Sequence, residues 1–427
     1  MDTPKSDSDS YVIVGAGVFG TSVAHHLITK YPSADVVLID RGPFPHEAGA
    51  SWDWNKVVRA DYTNILYMEL ALEAMKYWRY DALYSQDYHQ SGLAWVSDKD
   101  LPRAIIENYK KLKATEKYHM LTPDDSRARW DGAYSKADYP NGTEVFLNEG
   151  SGWVDATKTL TRVIQAAVEA GVRYVVADVK ELIFEADGST TGVRTSEGDI
   201  VLANHVILAT GAYTPRLLMD SAPNRSEIHA GHRVVAAGIS EGSVILDDAA
   251  AEYYGKGPCF VSEAGYTLGG VIPPNSENRI KFYRDVSFTN TIRHEVTGKN
   301  ISVPPSRADY SQWNLSSGMK EEVRQTCKGI YGNASDTWEL KDYRICWDAI
   351  TPSQDHIICE HPHSRHLYIV TGGSFHSWKF LPVIGKYVTQ MIEGTLDVEL
   401  AKTWAWDRDD KGSAHEGLLP HREMRDV

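Results

Sequence analysis

The chain has 427 residues, enough to bury one large core or two ordinary ones. Its composition, 42% hydrophobic and 24% charged, is typical of a soluble globular protein. The formal net charge of −14 argues against a general binder of nucleic acid or of an anionic membrane, because such a protein needs a basic face. The four cysteines are too few and too scattered for a disulfide framework or a zinc ribbon.

The two ends of the chain favour a cytoplasmic location. The first ten residues are polar, and we expect them to form a disordered lead-in. The apolar segment that follows is interrupted by glycines and by His25 and His26, so it predicts neither a signal peptide nor a membrane span. Residues 423–427 are not a peroxisomal Ser-Lys-Leu signal. We expect a monomer or weak homodimer without a membrane or nucleic-acid partner.

The first forty residues predict a strand–helix–strand unit. Residues 11–15 are an apolar run suited to a buried parallel strand, and residues 18–31 carry apolar side chains at helical spacing. Residues 35–40 form a second apolar run. A unit of about thirty residues in this order is typical of one half of a dinucleotide-binding fold.

Three glycines at the first turn strengthen this interpretation. Gly15, Gly17 and Gly20 follow the GxGxxG spacing. The first permits a tight turn, the second lets the backbone approach a pyrophosphate, and the third lets the helix pack closely on the strand. Asp40 ends the second strand, where a carboxylate can accept hydrogen bonds from a ribose. The combination predicts a bound dinucleotide.

Apolar patterns further along the chain predict more helices and strands. They are helices over 64–80 and 101–117, a helix capped by Asp155, short strands from 172 to 211, strand-like segments from 225 to 340, a strand at 367–370 and a helix at 384–392. The segment 206–212, with Thr210 and Gly211, resembles the second dinucleotide signature of two-domain flavoproteins. It favours FAD over NAD, although any strand followed by a glycine turn has this pattern.

Two segments near the C-terminus make a family resemblance specific. Residues 346–362 and 371–382, with 55–59 and 150–153, resemble the sarcosine oxidase family of amine oxidases. Its relatives include fructosyl amino acid oxidases (amadoriases), saccharopine oxidases and pipecolate oxidases. The resemblance covers nearly the whole chain. It implies an α+β fold in which a glutathione-reductase-like FAD-binding domain is interleaved with a catalytic domain that has an antiparallel sheet.

The resemblance also sets the expected domain boundaries. We predict an FAD-binding domain over 1–60, 150–220 and 340–395, a catalytic domain over 61–149 and 221–339, and a C-terminal tail over 396–427.

The resemblance implies a covalently bound FAD. Cys346 is expected to carry the flavin through a thioether to its 8-methyl carbon (an 8-alpha-S-cysteinyl link), because a thiolate is a soft nucleophile and oxidised flavin activates that carbon. The alternative is a buried inert cysteine. The other expected FAD contacts beyond the glycines and Asp40 are Val18, Phe19, Arg41, Ser51, Lys56, Val179, Thr210, Gly211, Gly373, Phe375 and Lys379.

Four cations match positions with roles in these oxidases. Lys281 matches the lysine that lies over the flavin to assist O2, where a fixed ammonium stabilises the negative charge that develops. Lys379 matches the residue that binds the substrate carboxylate, and Arg59 and Lys56 match cationic positions beside the flavin. An arginine and a lysine make a sound carboxylate clamp. The alternative interpretation of each of these side chains is a solvent-exposed charge outside the site.

Three departures from the family pattern bear on the substrate. Arg59 stands where amadoriases tend to have a small polar residue and where sarcosine oxidases have arginine. Asp348 stands where relatives carry Tyr or Cys, and Asp285 stands where amadoriases have a glutamate that contacts substrate. An additional carboxylate suits a substrate with a second cation or several hydroxyls. Either aspartate alternatively pairs with an arginine such as Arg284 or Arg344.

The predicted activity is oxidation of the secondary amine C–N bond of an amino acid derivative by O2, which gives an imine or aldehyde and hydrogen peroxide. Arg59 favours an N-methyl amino acid, saccharopine or pipecolate, whereas Lys56 and Asp285 favour a fructosyl amino acid. Two other classes stay open. They are a flavin dehydrogenase that uses a partner or quinone, and a non-enzymatic prenyl-group or regulatory binder on the same fold.

Two further segments carry weaker expectations. The histidines within 361–366 lie in a Pro-containing turn without a ligand partner at suitable spacing, so we expect a solvated loop and no metal site. Arg422 is placed like a substrate arginine of amadoriases, and the end of the chain is therefore a candidate for return to the pocket.

Overall fold

The computed structural model describes residues 9–265, 267–305, 312–408 and 416–427. Most of the predicted lead-in therefore lies outside the described residues. The α-helices within the described part are α1 (Val18–Lys30), α2 (Ile65–Tyr80), α3 (Leu101–Lys111), α4 (Pro123–Ala128), α5 (Ala156–Glu169), α6 (Thr214–Ser221), α7 (Asp248–Tyr254), α8 (Ser317–Tyr331), α9 (Ile384–Glu393) and α10 (Val398–Thr403).

The strands, numbered in chain order, are β1 (Ser10–Val14), β2 (Asp35–Asp40), β3 (Lys56–Val58), β4 (Tyr88–His89), β5 (Leu93–Ser97), β6 (Tyr118–Leu121), β7 (Glu144–Asn148), β8 (Gly152–Val154), β9 (Arg173–Val176), β10 (Val179–Phe184), β11 (Thr190–Thr195), β12 (Ile200–Leu202), β13 (His205–Leu208), β14 (Val235–Ile245), β15 (Cys259–Ser262), β16 (Gly269–Ile272), β17 (Arg279–Arg284), β18 (Thr291–Arg293), β19 (Asn300–Ser302), β20 (Lys341–Ile350), β21 (Ile357–Glu360) and β22 (Leu367–Thr371).

A six-stranded sheet holds the predicted dinucleotide unit. Its strand order is β21-β22-β13-β1-β2-β9, and all neighbours run parallel except the edge pair β21–β22. The central strand β1 is apolar and buried, as expected for a parallel strand covered on both faces. Helix α1 packs on one face between α5 and α9, and α6 lies with the small sheet β10-β11-β12 on the other. The predicted strand–helix–strand unit is confirmed.

An eight-stranded, largely antiparallel sheet forms the second layer of the molecule. Its order is β20-β14-β17-β16-β15-β5-β7-β6, and only β15 and β5 run parallel. Helix α8 covers one face and shares a core with Val244, Phe260 and Phe282. Strand β20 carries Cys346 and β17 carries Lys281, so this sheet delivers two candidate site residues.

Smaller sheets connect the two large ones. Strands β3, β8 and β4 form one antiparallel sheet, and β18 and β19 form another. The mixed helix-and-sheet fold class is confirmed, while the boundaries between the two predicted domains stay a prediction. None of the helices in the described ranges is both long and apolar enough to span a membrane. Cytoplasmic location and weak self-association also stay predictions.

Two sequence-based expectations about local structure were wrong, and a third is confirmed. Helix α3 ends at Lys111 rather than at 117, because the segment that follows turns into β6 and a positive φ at Lys113 breaks the helix. Asp155 occupies the N-cap position of α5, as predicted, although its carboxylate pairs with Lys158 and makes no capping hydrogen bond to the backbone. His361 is buried, not solvated, because its ring packs 4.5 Å from that of Trp406.

Candidate active site

A single cavity of about 1000 Å³ joins the two large sheets. It is lined by the turn between β1 and α1, by Cys346 on β20, by Trp95 on β5 and by Lys281 on β17. Its volume suits a dinucleotide together with a small substrate. Nineteen of the predicted site residues line it, and they are Gly15, Gly17, Val18, Phe19, Asp40, Arg41, Ser51, Lys56, Arg59, Val179, Thr210, Gly211, Lys281, Asp285, Cys346, Asp348, Gly373, Phe375 and Lys379.

The glycine turn is packed so closely that a Cβ atom on Gly15, Gly17 or Gly20 would clash with a neighbouring atom. Gly15 has φ +101°, and a Cβ there would lie 2.4 Å from the carbonyl oxygen of Ala209. Gly20 does not line the cavity. A Cβ on Gly20 would lie 1.8 Å from the carbonyl oxygen of Gly15, so Gly20 allows the close helix–strand contact that its position predicted. A Cβ on Gly17 would lie 2.9 Å from Ser51 Oγ.

The dinucleotide end of the cavity is completed by polar groups from neighbouring elements. Asp40 accepts hydrogen bonds at 2.7 Å from the backbone N–H of Ala16 and from that of Arg41. The Arg41 guanidinium lies 3.9 Å from the ring centroid of Tyr213. Ser51 Oγ accepts a hydrogen bond of 2.7 Å from the N–H of Val18, at the start of α1. A glycine-lined turn at a helix N-terminus, with an acidic strand end beside it, fits the pyrophosphate and ribose of FAD.

Cys346 lines the cavity. Its Sγ is 3.9 Å from Lys56 Nζ and 4.0 Å from the carbonyl oxygen of Ala50. Burial raises the pKa of the Cys346 thiol, and the Lys56 ammonium acts in the opposite direction. The free thiol therefore faces the cavity next to a cation that stabilises its thiolate form.

Buried charges surround this cysteine. Asp53 Oδ2 lies 2.7 Å from both Lys56 Nζ and Lys281 Nζ, and 3.5 Å from an Arg344 nitrogen. Glu241 lies between 3.4 and 3.9 Å from the same three cations. Burial favours the neutral acid, but Lys281 and Lys56 hold the pKa of Asp53 well below its usual value. These five residues are called the buried ion cluster below.

A second pair of cations, Lys379 and Arg59, also lines the cavity. Lys379 Nζ donates to Tyr62 Oη at 3.0 Å and to the carbonyl oxygen of His376. The Arg59 guanidinium lies 4.5 Å from the Tyr62 ring centroid and 4.6 Å from that of Trp95. Burial, and then the charge of Arg59, lowers the pKa of Lys379 well below its usual value. Two cations in one buried pocket favour an anionic ligand.

The predicted aspartates occupy different environments. Asp285 faces the cavity, and burial, with Glu263 as the next contribution, raises its pKa to about 7. Asp348 also lines the cavity, but its carboxylate accepts hydrogen bonds of 2.8 Å from the backbone N–H groups of Ala349 and Phe375. Neither shows an ion pair with Arg284 or Arg344 among the described residues. Asp348 thus holds the backbone beside Gly373, whereas Asp285 is available to a ligand.

The C-terminal segment reaches the cavity, but with Gly417 and Leu418 rather than with Arg422. Gly417 and Leu418 line it, and Ser287 Oγ donates to the Leu418 carbonyl oxygen at 2.6 Å. Arg422 instead pairs with Glu322 and donates to the backbone carbonyl oxygen of Val286 at 2.8 Å. The expectation that Arg422 contacts substrate was therefore wrong, because its guanidinium anchors the C-terminal segment.

Sequence reasoning missed four residues of the site, namely Asp53, Glu241, Tyr62 and Glu263. Asp53 and Tyr62 lie within a few positions of Lys56 and Arg59, so their proximity along the chain was the available indication. Glu241 and Glu263 come from other strands and had none. Among the described residues there is no group of three or more His, Cys, Asp or Glu side chains that could hold a metal ion.

A parallel sheet with a glycine turn, opening into a cavity lined by cations and a free thiol, defines an oxidoreductase that uses a dinucleotide cofactor. The family described as FAD dependent oxidoreductase (DAO) matches residues 10–391. The chain therefore belongs to the FAD-dependent oxidoreductase family.

Known relatives agree with this assignment. L-saccharopine oxidase of Schizosaccharomyces pombe is 27% identical over 430 residues, which cover 95% of each chain. Monomeric sarcosine oxidase of a Bacillus species is 22% identical and covers 89% of this chain and 92% of its own. The solved structure of fructosyl peptide oxidase from E. terrenum has a TM-score of 0.83 and 25% identity, and it covers 99% of this chain and 98% of its own. The predicted family resemblance is confirmed.

Proposed function

We propose that the chain is an FAD-dependent oxidase of the secondary amine C–N bond in an amino acid derivative, with O2 as electron acceptor. The observation that carries the proposal is that one cavity brings the required groups together. The glycine turn, Cys346, Lys281, Arg59 and Lys379 all line it. This combination suits a bound flavin with an oxygen site and a carboxylate site beside it.

The proposed cofactor contacts are those predicted from the sequence. The turn at Gly15 and Gly17 holds the pyrophosphate, and Asp40 holds the ribose. Cys346 would hold the flavin by a thioether that replaces one C–H bond of the 8-methyl group, with O2 taking up the two electrons released, and Lys56, 3.9 Å away, would stabilise the thiolate required for that attack. FAD supplies the two-electron chemistry, since it accepts a hydride equivalent from an amine and gives two electrons to O2.

The protein supplies orientation and charge. Arg59 and Lys379 hold the substrate carboxylate, so that the carbon next to the amine faces the middle of the cavity. Lys281 keeps an ammonium where O2 gains negative charge. In the overall balance one secondary amine, one O2 and one water give a primary amine, a carbonyl compound and hydrogen peroxide. A cyclic amine stops at the imine and consumes no water.

Two substrate classes agree with different residues. Arg59 favours an N-methyl amino acid, saccharopine or pipecolate, and the similarity to L-saccharopine oxidase supports this class. Asp285 favours a substrate with a further cation or hydroxyls, such as a fructosyl amino acid, and the similarity to fructosyl peptide oxidase supports that one. We take the first class as the proposal and the second as its alternative.

The covalent link is tested by the visible absorption of purified protein before and after acid precipitation. We expect the yellow colour to stay in the wild-type pellet and to leave with the supernatant for Cys346→Ala. Cys359→Ala is the matched control, because that thiol does not line the cavity, and its colour should stay in the pellet. Colour that washes out of the wild type contradicts the link.

The oxidase activity is tested by peroxide release from a panel of secondary amino acids under air. A protein that oxidises an amine with an artificial dye but not with O2 is the dehydrogenase. A protein that purifies without colour favours the non-enzymatic alternative. Peroxide release from an N-methyl, cyclic or saccharopine-type substrate supports the proposal.

A further inference from the structure

Asp53 lies at the centre of the buried ion cluster. One of its oxygens contacts the ammonium groups of both Lys281 and Lys56 at 2.7 Å. Lys281 Nζ makes one further hydrogen bond, of 3.0 Å, to the carbonyl oxygen of Asn55. Glu241 is more distant, at 3.6 Å from Lys281. Asp53 and the Asn55 carbonyl oxygen therefore fix the position of the Lys281 ammonium more closely than the Glu241 carboxylate does.

The charges of the cluster do not cancel. Lys56, Lys281 and Arg344 bring three positive charges, and Asp53 and Glu241 bring two negative ones. Asp53, Lys281 and Arg344 are almost completely buried, with 0–2% of their side chains exposed. The Lys281 ammonium is thus held in a site from which water is largely excluded, where it acts strongly on a developing anion.

We propose that Asp53 is the positioning residue of the oxygen site, where its carboxylate fixes the Lys281 ammonium and keeps it charged. This inference rests on the proposed role of Lys281 in the reaction with O2. Asp53 acts through Lys281 and has no contact with substrate in this assignment.

The physical reason is the cost of burying unpaired charge. In an Asp53→Asn variant Lys281 and Lys56 lose their 2.7 Å carboxylate contact and keep Glu241 at 3.6 and 3.9 Å, and burying a charge without a close partner is strongly unfavourable. Arginine does not lose its proton in proteins, so relief comes from a lysine. Buried lysines without a carboxylate partner release their proton near or below neutral pH. The variant therefore loses both the 2.7 Å anchor and an ammonium at the oxygen site.

Other titratable groups around the cluster do not account for such a change. Cys259 and Cys346 face it from β15 and β20, and burial raises the pKa of each thiol. Burial likewise raises the pKa of Asp348, which faces Lys56, and it raises the pKa of Asp285, on the same cavity, to about 7. Both carboxyl groups are present in the wild type as well, so a pH-dependent loss of rate that appears in Asp53→Asn but not in the wild type is assigned to a lysine.

The first test measures reoxidation by O2 after the flavin-loaded protein has been reduced chemically, so that no amine substrate is needed. We expect Asp53→Asn to react with O2 about tenfold more slowly at about pH 8 and to approach the wild-type rate at about pH 6. Glu241→Gln is the matched control. It removes the same charge but keeps the 2.7 Å contact, so its rate should fall less than about threefold.

The second test measures stability of the same flavin-loaded proteins, and it does not involve catalysis. A lysine that is neutral only in the folded variant makes the folded state bind fewer protons than the unfolded state. Its unfolding constant should then fall by up to about tenfold per pH unit, relative to wild type, between about pH 7 and about pH 9. A uniform loss of stability without this slope indicates a purely structural residue.

Each outcome decides the inference. An unchanged or faster O2 reaction in Asp53→Asn overturns it, and so do equal losses in Asp53→Asn and Glu241→Gln, which assign the effect to net charge alone. If Asp53→Asn does not fold, Asp53→Ser replaces it in both tests. Failure of the amine screen alone contradicts the proposed substrate class and leaves the role of Asp53 intact.

Discussion

Lys379 is the side chain whose charge depends most on its surroundings. It is buried beside Arg59, and its ammonium hydrogen bonds only to neutral oxygen atoms of Tyr62 and His376. No carboxylate among the described residues pairs with it. A substrate carboxylate would therefore be its ionic partner, and binding and protonation of Lys379 are coupled.

This coupling predicts a pH-dependent affinity. Because burial and Arg59 lower the pKa of Lys379, ligand binding above that pKa must take up a proton. The dissociation constant of a carboxylate ligand should rise with pH, by up to about tenfold per unit. Lys379→Met should bind more weakly and lose this dependence, as measured by spectral titration. The exposed Lys99, also at the cavity, is the control, and Lys99→Met should keep the slope.

Asp285 gives a prediction about substrate choice. Since its pKa is raised to about 7, the carboxylate is charged above that pH and neutral below it. A ligand with a second ammonium group should gain affinity over a ligand without one as the pH rises through about 7. The expected gain is about tenfold. Asp285→Asn should abolish it, and a constant affinity ratio in wild type from about pH 6 to about pH 8 would exclude Asp285 from the substrate site.

Some of these residues were predictable from the sequence and others were not. The glycine turn and Cys346 lie in short segments whose pattern carries the chemistry. Asp53 and Lys281 are separated by 228 positions, so their ion pair depends on how β17 is placed against the loop before β3. The sequence indicated that Lys281 serves the oxygen site, but it gave no means of finding the partner that holds it.

The same distinction holds for whole elements. Four strands of the six-stranded sheet, β1, β2, β13 and β22, follow from apolar runs and glycine turns and were predicted within about a residue. The parallel contact of β15 with β5 has no local indication, because it joins strands that are far apart in the sequence. The site depends on both kinds of element, which is why its inner wall, including Glu263, was missed.

The C-terminal segment is an element with a testable role. Arg422 anchors it to Glu322, and Leu418 then forms part of the cavity wall. We expect Arg422→Ala to raise the KM for the amine about threefold to tenfold, through loss of that wall, while the flavin stays bound. Arg425→Ala, on the same segment, is the control. Steady-state kinetics and limited proteolysis measure the effect, and an unchanged KM with a detached segment would contradict it.

At the scale of the whole molecule, two buried histidines connect the C-terminal region to the core. The His356 ring lies 5.5 Å from that of Trp404, between centroids and tilted by 45°, and His361 packs on Trp406. Burial lowers the pKa of His356 to about 3 and that of His361 to about 4. Both are neutral in the folded protein, whereas the unfolded chain binds a proton at each near pH 6.5.

Stability should therefore fall on mild acidification. Because the folded pKa values are lowered, this contribution is complete above about pH 6.5 and is lost as the pH falls toward about 4. Each histidine contributes up to about 1.4 kcal/mol per pH unit in that window. Urea unfolding at several pH values measures the slope, and His361→Gln should reduce it. A free energy of unfolding that is constant from about pH 7 to about pH 4.5 would contradict the prediction.

The order of strands in the six-stranded sheet has a consequence for biosynthesis. Strands β1, β2 and β13 can assemble early, but β22, beside β13, is translated much later, and Cys346 and Lys56 are 290 positions apart. A ribosome-bound chain thus lacks the wall formed by Gly373, Phe375 and Lys379 until it is nearly finished. If the flavin is attached at Cys346, only chains that have been translated beyond Lys379 can carry it. Acid-stable colour in a cell extract would then measure the amount of nearly complete or complete protein.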